Sequence, residues 1–346
     1  MNQVKKVLVI DDSAYVRKVV TQILSRSPFL EVVGTARDGL DALEKVEALN
    51  PDVVTCDLIM PGMDGVEFVR EQMKRKHLPI IIMSIASETA DMALTALEVG
   101  AIDFVQKPTA LATDKILDIS DELIAKVKAA ADIPTSRLPA IETVAPPKLR
   151  PTIAHKNSVD IVVIGISTGG PQALRYVIPQ LPADFSVPVA IVMHMPVGYT
   201  EMYANKLNEL TNLDFHEAKE GELVERGKVL LAPAGRHLTF RRDKDQQVVA
   251  HLDARPFETL HRPSVDVLFT SAAEIYGARV LAVVMTGMGS DGKEGASWIK
   301  ARGGLVYTES EETSVVYGMP RATAEAGLSD KVVPLDQMAQ TLWEVV

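Results

Sequence analysis

Three polar residues in the second half of the chain each stand just past a strongly apolar run: Ser167, His194 and Asp291. Continuous apolar runs are typical of strands that are buried on both faces of a parallel sheet. Because the carboxyl ends of parallel strands share one edge, we expect the three side chains to meet there. They would supply a nucleophile, a general base and the group that orients the base.

The serine lies in a glycine-rich segment, Gly165-Ile-Ser-Thr-Gly169, which matches the G-x-S-x-G pattern of a nucleophile elbow. We predict a tight turn over residues 165–169, between a strand and a helix opened by Pro171. Backbone N–H groups and the positive end of the helix dipole would then face a developing oxyanion. Residues 165–170 are also compatible with a phosphate cradle or with a turn that has no chemistry.

Four other histidines compete for the role of base: His216, His237, His251 and His261. They lie in more polar settings, farther from predicted strand ends, and His237 is the strongest rival because it follows a strand-end loop. The order serine, histidine, aspartate differs from that of the α/β-hydrolases, in which the acid precedes the histidine. The order therefore favours a convergent triad on a different fold.

A second set of polar residues stands at strand ends in the first half of the chain: Asp11, Asp12, Asp57, Ser84 and Lys107. Three carboxylates at one sheet edge repel one another unless a hard cation lies among them. Oxygen ligands of this kind suit Mg²⁺. The three aspartates therefore predict a magnesium site.

We predict that five βα units position the carboxylates of the first half of the chain. The apolar runs that define their strands are residues 7–10, 31–35, 53–56, 80–83 and 102–105.

In the second half, the predicted strands are residues 161–164, 187–193 and 279–285, and helical patterns cover residues 321–326 and 335–345. Between these halves the periodicity stops and five prolines accumulate, which is typical of a semi-rigid linker. We predict domains at residues 1–131 and 159–346, joined by a linker at residues 132–158.

Composition excludes several classes of protein. The chain has 346 residues, 47% of them hydrophobic, and a formal net charge of −10. An acidic chain without a basic stripe argues against nucleic-acid binding. The sequence contains neither a signal-peptide pattern nor an apolar stretch of membrane-spanning length, so we expect a cytoplasmic protein without membrane insertion. Its single cysteine, Cys56, excludes an internal disulfide and is expected to be buried in a strand.

The first-domain motifs closely resemble the receiver domain of two-component response regulators: Asp11-Asp12, Asp57-Leu-Ile-Met-Pro-Gly-Met-Asp-Gly65, Ser84 and Lys107-Pro108. The resemblance implies a flavodoxin-like fold with a five-stranded parallel sheet.

It further implies that Asp57 accepts a phosphoryl group from a histidine kinase, and that Asp11, Asp12 and Asp57 hold Mg²⁺. Lys107 and Ser84 would contact the phosphoryl oxygens. Phe104 matches the aromatic switch position, although plain packing would also explain an aromatic residue there.

Motifs of the second half resemble the catalytic domain of the CheB family of chemotaxis methylesterases. They are Gly165-Ile-Ser-Thr-Gly-Gly-Pro171, His194-Met-Pro-Val-Gly-Tyr-Thr200, Ala232-Pro-Ala-Gly-Arg-His237, Arg262-Pro-Ser-Val-Asp-Val-Leu-Phe269 and Thr286-Gly-Met-Gly-Ser-Asp-Gly292. A doubly wound, mostly parallel α/β domain is implied. We interpret residues 262–266 as a structural turn and helix start rather than as a catalytic element.

This second resemblance implies hydrolysis of glutamate γ-methyl esters on methyl-accepting chemoreceptors, with phosphorylation activating the enzyme. Ser167 would be the nucleophile, and backbone N–H groups around Thr168 and Met288 would bind the oxyanion, each worth about 3 kcal/mol. Thr168, Met195 and Met288 would line the cleft, or serve as packing. Deamidation of receptor glutamines follows from the same acyl chemistry, and no metal is needed for ester hydrolysis.

Two other outputs remain open at the level of sequence. In the first, the output domain binds a nucleotide or a protein without chemistry and residues 165–170 cradle a phosphate, which leaves His194 and Asp291 unexplained. The second, DNA binding, is disfavoured by the acidic charge and by the absence of a basic recognition helix.

Overall fold

The computed structural model describes residues 4–84, 89–107, 113–135, 138 and 159–346, and side chains at residues 113–119 are not described. The chain divides into two compact units, Met1–Thr143 and Val144–Val346. Most of the predicted linker, residues 132–158, lies outside the described residues, as does Pro108. The predicted domain limits therefore stay predictions.

The first unit alternates strands and helices. Its elements are β1 (Lys5–Ile10), α1 (Ala14–Leu24), β2 (Leu30–Ala36), α2 (Gly39–Leu49), β3 (Val53–Asp57), α3 (Gly65–Arg75), β4 (Ile80–Ser84), α4 (Ala90–Glu98), β5 (Asp103–Gln106) and α5 (Thr113–Ala131).

The five strands form one parallel sheet in the order β2-β1-β3-β4-β5. This is the flavodoxin-like order, and the predicted five-stranded receiver fold is confirmed. Every residue of β3 and β4 is buried, as expected of central strands that helices cover on both faces. The Cys56 side chain is completely buried in β3. Asp64 is the N-cap of α3 and forms a capping box with Glu67, so its part is structural.

The second unit is larger and also alternates. Its elements are β6 (Ile161–Ile166), α6 (Gly170–Val177), β7 (Val189–Met193), α7 (Thr200–Asn208), β8 (Asp214–Glu217), β9 (Lys228–Leu231), β10 (His237–Arg242), β11 (Val248–Asp253), α8 (Val265–Tyr276), β12 (Val280–Val284), α9 (Lys293–Ala301), β13 (Leu305–Glu309), α10 (Met319–Glu325), β14 (Lys331–Val333) and α11 (Leu335–Val345).

Seven strands of this unit form a parallel sheet in the order β14-β13-β12-β6-β7-β9-β8, and β10 and β11 form a separate antiparallel hairpin. The predicted parallel α/β architecture is confirmed. Ile161 and Val163 of β6 share a core with Leu268 and Phe269 of α8 and with Phe240 of the hairpin. Helix α8 and the hairpin therefore lie over the face of the sheet that carries Ile161 and Val163.

The predicted turn at residues 165–169 begins later than expected, because β6 continues to Ile166. Gly165 is a strand residue whose missing side chain admits α8. A Cβ atom there would lie 2.2 Å from Cγ1 of Val265, the first residue of that helix. The helix predicted at Pro171 begins at Gly170, as the sequence indicates.

Among the described residues, no helix combines the length and the apolar character that crossing a membrane requires.

Candidate functional site

Ser167 and His194 leave neighbouring strands side by side. Ile166, the last residue of β6, pairs with Met193, the last residue of β7. The N–H of His194 donates to the carbonyl of Ile166 at 3.2 Å. The predicted convergence of the serine and the histidine at one sheet edge therefore follows directly from strand register.

The segment after β12 reaches the same place from the other side of β6. The N–H of Ser167 donates to the carbonyl of Thr286 at 2.9 Å. This contact brings the glycine-rich segment 286–292, which carries Asp291, against the turn that carries the serine.

His194 and Asp291 are directly hydrogen-bonded, with 2.8 Å between Nε2 and Oδ2. Because a carboxylate accepts, Nε2 carries the proton in the neutral ring and Nδ1 keeps its lone pair. Nδ1 is buried and has no hydrogen-bond partner in the described part of the chain. The ring is thus oriented by an acid through one nitrogen and is left with an accepting nitrogen on the other.

The N-terminus of α8 cradles the Asp291 carboxylate. Oδ1 accepts from the Ser264 hydroxyl at 3.0 Å and from the Asp266 N–H at 2.9 Å, and Oδ2 accepts from the Val265 N–H at 2.8 Å. Burial alone would raise the pKa of Asp291, but His194 and these N–H donors outweigh it and hold that pKa well below its usual range. Asp291 is therefore ionised at neutral pH.

Asp266 stabilises the loop that carries Asp291 through two hydrogen bonds. Its Oδ1 accepts from the N–H groups of Gly292 at 2.9 Å and Gly295 at 2.7 Å. Burial, with the neighbouring Asp291 charge, raises the pKa of Asp266. The sequence predicts a turn and helix start at residues 262–266, and α8 does begin there, at Val265. The same helix start also binds Asp291. The motif at residues 262–269 indicates a helix start, but nothing in the sequence indicates that this helix start binds Asp291.

His237, the strongest rival base, has a structural part. It is completely buried, its Nδ1 accepts from the Ser264 N–H at 3.2 Å, and its Nε2 lies 3.1 Å from the Pro256 carbonyl. Burial lowers its pKa, so the ring stays neutral. His216 and His251 pair with carboxylates near the surface of the unit.

His261 lies closer to the site than its sequence setting indicates. Its ring stacks on that of His194, with 4.0 Å between ring centroids and 23° between planes. It belongs to the loop before α8, so its position depends on how that loop folds back over the sheet edge. The local sequence pattern does not predict this loop conformation.

The backbone N–H and the carbonyl of Ser167 are both hydrogen-bonded within the protein. Its N–H donates to Thr286, and its carbonyl accepts from the Gly170 N–H at 2.6 Å. A phosphate cradle over residues 165–170 would need these N–H groups free, so this geometry disfavours that alternative. The predicted oxyanion residues Thr168 and Met288 belong to the same two segments, and the Met288 N–H donates no hydrogen bond within the described ranges.

In the first unit, Asp11, Asp12 and Asp57 meet at the carboxyl edge of the sheet. Each offers an oxygen within 4.8 Å of the others. Asp11 and Asp57 are buried and Asp12 is exposed. A set of hard oxygen donors with one open side fits Mg²⁺ together with retained waters.

Lys107 lies between two of these carboxylates, with Nζ 2.9 Å from Oδ2 of Asp11 and 2.7 Å from Oδ2 of Asp57. Burial raises the pKa of Asp57, and Asp11 adds to the effect, while Lys107 opposes it. Burial lowers the pKa of Lys107, but the two carboxylates outweigh it and the net pKa is raised. Lys107 is therefore a fixed cation beside Asp57.

The two remaining predicted switch residues are buried nearby. The Ser84 hydroxyl lies 2.5 Å from the Thr89 hydroxyl, which precedes α4. Phe104 is 2% exposed, and Lys126 Nζ lies 6.0 Å from the centroid of its ring. The structure thus places Ser84 at the end of β4 and Phe104 in β5, as the sequence indicates.

A flavodoxin-like receiver joined to a second parallel α/β unit is the architecture of a response regulator with its own output domain. A family model described as CheB methylesterase matches residues 162–342, and one described as response regulator receiver domain matches residues 7–118.

Curated relatives match over nearly the whole length. A protein-glutamate methylesterase/protein-glutamine glutaminase of Myxococcus xanthus is 47% identical and covers 97% of each chain. One from Geobacillus kaustophilus is 43% identical, covering 99% of this chain and 98% of its own. The solved CheB methylesterase catalytic domain of Thermotoga maritima is similar at 42% identity and a TM-score of 0.53, covering 54% of this chain and 99% of that one. The chain belongs to the CheB methylesterase family.

Proposed function

We propose that this chain hydrolyses glutamate γ-methyl esters on methyl-accepting chemoreceptors with release of methanol. The observation that carries the proposal is the His194–Asp291 pair, which leaves an accepting, buried Nδ1 at the strand end next to Ser167. The names of the curated relatives support the same substrate chemistry.

In the proposed mechanism, Nδ1 of His194 takes the hydroxyl proton as Ser167 Oγ attacks the ester carbonyl. Asp291 holds the ring and stabilises the imidazolium that forms. The N–H groups of Thr168 and Met288 bind the oxyanion. The imidazolium then protonates the departing methoxide, and methanol leaves a glutamyl ester on the serine.

Water completes the cycle by the reverse sequence, with His194 as base toward the water and as acid toward the serine oxygen. A glutamine side chain presents the same carbonyl with ammonia as the leaving group. The same residues would therefore deamidate receptor glutamines. Cofactors are not required for either reaction in this mechanism.

The first unit would control the rate. Asp57 would accept a phosphoryl group from a chemotaxis histidine kinase, with Asp11, Asp12 and Asp57 as the Mg²⁺ ligands. Mg²⁺, when bound, offsets the negative charge gathered by the carboxylates and the phosphoryl oxygens. Lys107 would pair with the phosphoryl oxygens, Ser84 would donate its hydroxyl to them, and Phe104 would respond as the switch aromatic. Membership of the CheB family implies a substrate on the cytoplasmic helices of chemoreceptors, so we place the reaction in the cytoplasm.

The test of the nucleophile is methanol release from methylated chemoreceptor membranes. Ser167→Ala should leave only the background rate, because the alanine side chain has no hydroxyl to attack the ester carbonyl. Ser297→Ala, an exposed serine of α9, should keep the wild-type rate. Near-normal release by Ser167→Ala would overturn the assignment.

The test of control uses acetyl phosphate and Mg²⁺ with the same membranes. Added together, they should raise methanol release by the wild type but not by Asp57→Asn. The Asp57→Asn variant should also remain unlabelled by the phosphoryl donor. Asp121→Asn, a change at an exposed aspartate of α5, should respond like the wild type. If Asp57→Asn is still labelled, the phosphorylation site is elsewhere.

A further inference from the structure

Glu309, the last residue of β13, is a charged residue with no exposed surface. Burying a carboxylate without compensation is costly, and fully buried glutamates are rare unless they are hydrogen-bonded. Burial raises the pKa of Glu309 to about 7. The mechanism above makes no use of this residue, although β13 lies next to β12, the strand that leads to Asp291.

Both carboxyl oxygens of Glu309 are engaged. Oε2 accepts from the backbone N–H of Thr286 at 2.8 Å, and Oε1 accepts from the Thr313 hydroxyl at 3.0 Å. The Thr313 hydroxyl in turn accepts from the N–H of Leu335, the first residue of α11. Glu309 is therefore held at Oε1 by groups outside the site and at Oε2 by the segment that leads to Asp291.

Thr286 connects Glu309 to the serine. Its carbonyl accepts the Ser167 N–H at 2.9 Å, and its hydroxyl donates to the Thr168 carbonyl at 2.9 Å. The same hydroxyl accepts from the Val316 N–H at 3.0 Å. One threonine thus fixes the backbone on both sides of the peptide that joins Ser167 to Thr168, and Glu309 fixes that threonine.

We propose that Glu309 is a positioning residue for the Ser167 reaction, which sets the backbone of residues 167–168 and 286–288 through its hydrogen bond to Thr286. The inference rests on the proposed function of Ser167. Glu309 does not touch the substrate or the reacting atoms.

Reach and hydrogen-bonding shape, rather than charge, are what the position requires. The Thr286 N–H needs an acceptor, and a carboxylate, a carboxylic acid and an amide each offer an oxygen that accepts. The Thr313 hydroxyl can donate to a carboxylate or accept from an acid O–H or an amide N–H. Glutamine therefore satisfies both partners, whereas aspartate is one methylene too short and leucine has no acceptor.

The experiment compares Glu309→Gln, Glu309→Asp and Glu309→Leu in the full-length chain, with Glu312→Leu as the exposed control three residues away. Two rates are measured: methanol release from methylated receptor membranes, and covalent labelling of Ser167 by a fluorophosphonate. We expect Glu309→Gln and Glu312→Leu to match the wild type within about twofold. Glu309→Asp and Glu309→Leu should lose roughly ten- to a hundredfold in kcat and in labelling rate, with KM little changed, because misplacing a nucleophile and its oxyanion donors affects the transition state.

Folding of the second unit is checked by the midpoint of urea unfolding followed by tryptophan fluorescence, since both tryptophans lie in that unit. Glu309→Asp serves if Glu309→Leu is unstable. Wild-type kcat in Glu309→Asp and Glu309→Leu would overturn the inference, as would an equal loss in Glu309→Gln, which would make charge the requirement. If the wild type is labelled at Ser167 but releases no methanol, the proposed substrate is wrong, and the labelling rates still decide the part of Glu309. If the wild type is not labelled, Ser167 is not a nucleophile and the inference fails with it.

Discussion

At the scale of single residues, the Asp291 carboxylate is the best-supported group of the site. It accepts from the hydroxyl of Ser264, from the N–H groups of Val265 and Asp266, and from Nε2 of His194. A carboxylate with this many donors is both immobile and ionised. It can therefore hold the imidazole in one orientation while remaining ionised itself.

Glu309 gives a prediction about pH and stability. An unfolded glutamate releases its proton near 4.5, whereas burial raises the pKa of Glu309 to about 7. Between these values the folded state binds more protons, so its free energy of unfolding falls as pH rises through that window and levels off above it. The free energy of unfolding of Glu309→Gln should not fall in this way, because the glutamine amide does not titrate.

The measurement is urea unfolding followed by tryptophan fluorescence, since both tryptophans, Trp298 and Trp343, lie in the second unit. The stability of the wild type relative to Glu309→Gln should fall between about pH 5 and about pH 8 by at most about 3 kcal/mol, at 1.4 kcal/mol per pKa unit. A difference that is the same at both pH values would show that Glu309 titrates normally.

At the scale of elements, the contact between β6 and α8 joins two parts of the site. Gly165 lies directly against Val265, whose N–H binds Asp291. A methyl group at residue 165 would displace the start of α8 and with it the cradle of the carboxylate.

Gly165→Ala should therefore lower kcat and destabilise the second unit by about 1–3 kcal/mol, the usual effect of overpacking a core. Adding Val265→Ala removes the two methyl groups nearest the new Cβ atom and should restore part of both losses. Methanol release and tryptophan-monitored unfolding of the single and double variants check this. An unaltered single variant would mean that α8 adjusts without moving Asp291.

The sequence predicts where strands end, but it does not predict which strands lie side by side. Ser167, His194 and Asp57 could be singled out because an apolar strand marks its own end, and parallel pairing collects such ends at one edge. Glu309 stands at a strand end as well, but its burial depends on β13 lying beside β12. That order is a tertiary property, with no signal in the local pattern.

At the scale of the whole molecule, the chain combines two units of different chemistry. Each unit is compact and has its own parallel sheet, so we expect each to fold alone. We expect the fragment 159–346 to release methanol at a rate that acetyl phosphate and Mg²⁺ do not change. We expect the fragment 1–131 to accept a phosphoryl group at Asp57 and to release no methanol.

Methanol release by each fragment with and without acetyl phosphate tests this division, with the full-length chain as the control. A response of the fragment 159–346 to acetyl phosphate would contradict it, since Asp57 is absent from that fragment. Failure of the fragment 1–131 to be labelled would place residues needed for phosphorylation beyond residue 131.

The burial of Cys56 gives the molecule a built-in reporter. It is the single thiol of the chain, it lies in the central strand of the first unit and is completely buried, and burial raises its pKa well above the usual range. A thiol reagent can reach it only when that strand is uncovered, so the alkylation rate counts openings of the first unit alone. Tryptophan emission reports the second unit alone. Two signals from residues of the natural sequence can thus follow the opening of each unit within one intact chain.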